Sequence, residues 1–152
     1  MANKANLRLW VAALRSGAYA QGRGAMRQDT GPNVQYCCLG VAQEVALRAG
    51  FLPKGEVLWG QTSRLNSSIA TEFYGLEERN GPLGYLGPLG YNVRLNANHA
   101  LDGSFTSAAI LNDDFLLTFD QIADAIERTF DLLTYDEIFD PSFVPNNETV
   151  AT

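Results

Sequence analysis

The stretch YCCLGVAQEVALRAGF, Tyr36 to Phe51, decides how the chain is read. Cys38, Val41, Ala42, Val45 and Ala49 recur at the i, i+3, i+4, i+7 spacing that lines one face of a helix. Gly50 stands where a helix commonly reverses into a left-handed residue, and Pro53 blocks continuation. The segment therefore predicts an extended lead-in, an amphipathic helix and a glycine stop. A cysteine in the first helical turn has two readings. It is a small hydrophobe anchoring the helix in the core, or a thiol whose anion the helix N-terminus favours.

Before this helix, Asn6 to Arg15 predicts another, with Leu7, Trp10, Val11 and Leu14 as its apolar stripe and Asn3 or Asn6 as cap. Trp10 on that stripe reads as a core anchor. Gly17 to Pro32 reads as a loop with four glycines and with Tyr19, Arg23 and Arg27 interleaved. Glycine lets backbone approach a ligand, and arginine offers a planar fork to phosphate or carboxylate. The loop lacks the ordered lysine and hydroxyl of a Walker motif.

Beyond the central helix, Leu52 to Thr62 suggests a turn or short strand, and Asn66 to Tyr74 a short helix capped by Asn66 or Ser67. GPLGY occurs twice between Gly81 and Tyr91 and reads as consecutive turns. Tyr91 to Leu95 and Ala108 to Leu111 read as short strands around a polar stretch holding His99. Thr118 and Gln121 form a capping box, with Leu117 and Ile122 as a hydrophobic staple. Ile122, Ala123, Ile126, Phe130 and Leu133 then mark a buried helical face. The expected fold is α+β and mainly helical, with three or four helices around one core and a small strand element. Residues 1–145 form the expected globular domain, and 146–152 a polar tail.

At 152 residues, 46% hydrophobic and 18% charged, the chain suits one globular domain with a sizeable core. No apolar run reaches the roughly 18 residues of a membrane span. Arg8 and Arg15 interrupt the first apolar stretch, which argues against a secretory signal and for the cytoplasm. Two adjacent cysteines and one histidine do not make a zinc set, and no cofactor is expected. The net charge of −6 is unevenly placed. Met1 to Gln28 holds five basic residues and no acid, whereas Asn112 onward holds ten acids and one base. Either the two ends attract each other, within one chain or between subunits of an oligomer, or the basic end meets an anionic ligand. The acidic total disfavours extended nucleic-acid binding.

Three ordered blocks resemble a family of small uncharacterised proteins encoded by bacteriophages and prophages. They are Trp10 to Gly22 (W-x-x-A-L-R-S-G-x-Y-x-Q-G), Tyr36 to Val41 (Y-C-C-L-G-V), and Leu111 to Asp113 followed by Phe119, Ile122, Ala123, Ile126 and Glu127. The resemblance implies phage origin and brings no activity with it. Locally, CCLGVAQEVALRAGFLP is similar to the nucleophile segment of NlpC/P60 cysteine peptidases. That similarity implies Cys38 as nucleophile and His99 as its base. Cys37 stands where those peptidases carry an acid, and Leu39 where they carry serine.

The favoured reading is a phage accessory protein acting in host takeover or counter-defence. On this reading it acts in the host cytoplasm by sequestering a small anionic molecule, such as a nucleotide derivative, or by binding a host protein. Arg15, Tyr19, Arg23 and Arg27 are the expected binding set, with Tyr36 and Asn112 as neighbours. The alternatives are the cysteine hydrolase and a structural component of the virion.

Overall fold

A computed structural model describes residues 2–29, 33–60, 65–76, 94–96, 105–113 and 116–132. In order these form α1 (Lys4–Arg15), β1 (Ala20–Gln21), β2 (Arg27–Gln28), β3 (Gln35–Tyr36) and α2 (Cys38–Arg48). A π-helical turn (Ile69–Phe73), β4 (Arg94–Asn96), β5 (Phe105–Ser107), α3 (Ala108–Asp113) and α4 (Phe119–Phe130) follow. The fold is mainly helical α+β, as the patterning predicts. The GPLGY repeat, His99, Leu133 and the expected tail lie outside the described residues. Among the described residues no helix is long and apolar enough to cross a membrane.

The helices form where periodicity and caps agree. Asn3 caps α1 by accepting the Asn6 N–H at 3.0 Å, and Leu7, Trp10, Val11 and Leu14 are buried. Thr118 and Gln121 close the capping box of α4, whose buried face includes Ile122, Ala123, Ile126 and Phe130. In α2, Cys38, Val41, Ala42 and Val45 are buried as expected. Ala49 is exposed instead, because the helix already ends there and Gly50 takes φ +88°.

Two local expectations change, and a third is narrowed. Ala108 to Leu111 is helix rather than strand; Ala-Ala-Ile-Leu favours helix, and six residues are too few to display a period. The strand in this region is β5, paired antiparallel to β4. The Gly17 to Pro32 loop carries β1 and β2, each of two residues. They flank β3 in the order β1-β3-β2, parallel to it on one side and antiparallel on the other. The described part of Leu52 to Thr62 contains no strand.

α1 lies against α4 and α2 around the core, and α3 fills the space between α2 and α4. Trp10 is fully buried, its indole N–H donating to the Cys38 carbonyl at 3.0 Å. The tilted Tyr74 ring packs 5.7 Å away and gives its hydroxyl proton to the Ala42 carbonyl at 2.6 Å. The opposed charges meet here as well. Arg15 binds Asp124 and Glu127 at 2.6 Å each, with Asp120 at 4.0 Å. Lys4 and Arg8 donate to the Asp131 and Leu132 carbonyls just past the end of α4, where a helix dipole favours positive charge.

Gly40 fixes how closely the strand layer meets α2. A Cβ there would land on the Met26 carbonyl, which also accepts the Cys37 N–H at 3.3 Å. Backbone cannot yield as a flexible side-chain tip can. Gly40→Ala is expected to cost ~3 kcal/mol or more, read as a lower denaturant midpoint with an unchanged slope. A midpoint equal to wild type would refute this account of the contact.

Candidate functional site

The expected binding residues divide into two groups. Tyr36 ends β3, the central strand, and its register sets it opposite Gln21 on one side and Arg27 on the other. Tyr19 precedes β1 and meets the Tyr36 ring edge-on, centroids 5.2 Å apart at 87°. On the far side Tyr36 meets Trp59, 6.3 Å away at 77°. Perpendicular rings match a positive edge to a negative face. The Arg27 guanidinium lies over Trp59, 4.4 Å from its centroid, and that of Arg48 lies 5.9 Å from Tyr19. Tyr19, Tyr36 and Trp59 thus form a half-buried aromatic row with a guanidinium at each end.

The row's cations are lightly committed. Arg27 faces Asp29 at 3.4 Å, and Arg48 pairs with Glu44 at 2.8 Å, one helical turn back. Asp29 and Arg48 are largely exposed, so water screens both pairs. Burial, and after it the nearby Glu44 carboxylate, raise the Tyr36 phenol above its ordinary range. Tyr36 therefore keeps its proton at neutral pH and can donate it in a hydrogen bond.

Arg15 and Asn112 belong to the second group. Burial opposes the charge of Arg15, but its bonds to Asp124 and Glu127 outweigh that and hold its pKa above the usual value. Its guanidinium is engaged with α4. Asn112 is fully buried. Its Oδ1 accepts from Gln21 Nε2 at 2.9 Å and the Cys38 N–H at 3.2 Å, while its Nδ2 donates to the Gly22 carbonyl at 2.9 Å. It lies beneath the surface as a brace. Arg23 is exposed, and its carbonyl accepts from Gln28.

The cysteines lie in the core. Cys38 is fully buried, with its thiol 3.4 Å from the Ala108 carbonyl. Burial, and then the neighbouring Cys37, push its pKa well up. Cys37 caps α2 by accepting the Gly40 N–H at 3.4 Å, yet burial still raises it to about 11. Neither environment supplies a thiolate at neutral pH. The site of the base expected for Cys38, His99, is outside the described residues. Among those residues no group of three or more His, Cys, Asp or Glu could hold a metal ion.

With this geometry in place, comparison adds one assignment. Residues 3–130 match the domain of unknown function DUF8296. The chain belongs to that family. Its description carries no activity, and no curated protein or solved structure matches the chain. Nearly all the described residues, the aromatic row among them, fall within the matched part of this DUF8296 domain.

Two members of the row escape sequence reading. Trp59 sits in a segment with no period, and its place depends on contacts distant in sequence. Arg48 stands off the apolar stripe in the last turn of α2, where arginine already suits the helix dipole. The available signal was Glu44 four residues earlier, which fixes the side on which Arg48 lies.

The raised thiols set a pH dependence. A proton held more tightly when folded gives stability that is full below the unfolded pKa and lost as pH rises through the folded one. Thermal stability should therefore fall from about pH 9 toward about 11, and Cys37→Ala should flatten that fall. Iodoacetamide at pH 7 should label neither cysteine until denaturant is added. Prompt labelling of Cys38 in the native protein would contradict its burial.

Proposed function

We propose that the protein is an accessory binding protein that sequesters a small anionic, ring-bearing ligand of the nucleotide-derived class. The observation carrying this reading is the Tyr19–Tyr36–Trp59 row with Arg27 and Arg48 at its two ends. Exposed ring surface accepts a base or sugar by stacking, and each guanidinium offers a fork to phosphate. A phosphate at Arg27 would displace Asp29, whose side chain is largely exposed, and one at Arg48 would use the exposed part of its guanidinium beside Glu44. Sequestration requires no nucleophile, which agrees with two thiols held protonated in the core. The resemblance to phage-encoded proteins supports an infected cell as the setting, with the ligand drawn from the host's nucleotide pool.

The test is to mix the purified protein with a panel of mononucleotides, cyclic nucleotides and dinucleotides, and to identify what it retains by mass spectrometry. Binding is then followed by tryptophan fluorescence, since Trp10 is fully buried and the ligand-sensitive signal belongs to Trp59. Arg27→Ala and Arg48→Ala should each weaken retention about tenfold, the loss of one charge-assisted contact. Retention of nothing in the panel, or of ligands indifferent to both substitutions, would overturn the reading.

A further inference from the structure

Three buried polar side chains lie outside the aromatic row yet hold the segment that carries Trp59. Residues 51–60 have no regular secondary structure, so their backbone groups need partners from elsewhere. Gln43 is fully buried on α2, next to Glu44. Its Nε2 donates to the Leu58 carbonyl at 2.9 Å, and its Oε1 accepts the Asn66 N–H at 3.1 Å. Asn66 Nδ2 donates to the Lys54 carbonyl at 2.9 Å and the Glu56 carbonyl at 2.8 Å. Its Oδ1 accepts from Ser68 Oγ at 2.7 Å and from the Ile69 N–H at 3.0 Å. Ser68 Oγ in turn accepts the Lys54 N–H at 2.7 Å. Apolar packing anchors the segment near its ends, at Phe51 and Trp59, but between them Leu52 is 85% exposed and Leu58 50%.

We infer that Gln43 and Asn66 are positioning residues for the binding face. They fix the backbone of residues 54–58 against α2 and so set where Trp59 stands relative to Tyr36 and Arg27. The backbone bond from the Arg27 N–H to the Trp59 carbonyl, 2.9 Å, completes the hold from the sheet side. One helix thereby governs both ends of the row: Gln43 inward through the Trp59 segment, Glu44 and Arg48 outward beside Tyr19. This role rests on reading the row as the binding face.

Acrylamide quenching of tryptophan fluorescence in the unliganded full chain, well below its melting temperature, tests the inference. Trp10 is inaccessible, so the quenchable signal is that of Trp59. Gln43→Met keeps the shape and removes both bonds, whereas Gln43→Glu keeps only the acceptor. Both should raise the Stern–Volmer constant about twofold or more as the segment opens locally. Tyr74→Phe, which removes a different buried bond from the same core, should lower the melting temperature and leave the constant unchanged. An unchanged constant in both Gln43 variants, or an equal rise in Tyr74→Phe, overturns the inference. Should Gln43→Met not fold, Ser68→Ala carries the same readout through the Lys54 contact. No nucleotide is present, so this result and nucleotide retention succeed or fail separately.

Discussion

The carboxamide of Asn112 is the contact through which the strand layer, α2 and α3 are registered to one another. It is wholly buried and serves Gln21, Gly22 and Cys38 at once. A buried amide left unpaired costs about 1–3 kcal/mol for each missing partner, so these contacts persist together or fail together. Gln21 extends the brace by donating also to the Leu117 carbonyl at 2.8 Å, one residue before the cap of α4. With β1 and the start of α2 pinned to α3, β3, which leads into α2, is held alongside β1, between it and β2. Tyr36 then emerges at the end of β3, where Tyr19 and Arg27 flank it. The Tyr36 end of the surface row thus depends on a core hydrogen-bond network, while Trp59 is held by Gln43, Asn66 and the Arg27 N–H.

The same architecture divides the basic residues by depth. α1 lies on α4, so Arg15 meets carboxylates in partly buried surroundings, where charge-assisted bonds are strong. Arg27 pairs with a largely exposed Asp29, and Arg48 is itself largely exposed beside Glu44, so in each pair one member is open to water. A cation of the first kind ties elements together and cannot be given up without loss of structure. One of the second kind can change partners at little cost. Of the two readings of the uneven charge, the attraction between the ends of the chain is seen at Arg15, and the anionic ligand remains the proposal made for Arg27.

What the sequence revealed follows the range of the forces involved. α1, α2 and α4 each repeat an apolar period over at least 11 residues and carry local caps, so they were legible. The strands of the sheet are two residues long, and their hydrogen bonds depend on partners up to 15 positions away. No alternation can appear in two residues. Tyr19, Tyr36 and Arg27 were legible as a group because they lie close along the chain. Asn112 is buried over 70 positions from Cys38, and nothing local announces that its amide will be used up. Trp59 was lost for the opposite reason: its segment borrows structure from Gln43 and Asn66.

The cysteine-bearing helix shows how magnitude decides between two chemically sensible readings. A helix N-terminus stabilises a nearby anion by at most about 2 kcal/mol, and usually by less than half of that. The rise of Cys37 from 9.0 to about 11 corresponds to ~3 kcal/mol against the thiolate. That balance already includes the N–H groups of Leu39 and Gly40, which favour the anion. Cys38 is buried still more completely and has the other thiol beside it. Burial therefore outweighs the dipole at both positions. The sulfur completes the core under α2, and the aromatic and cationic surface proposed to bind lies apart from it, above β3.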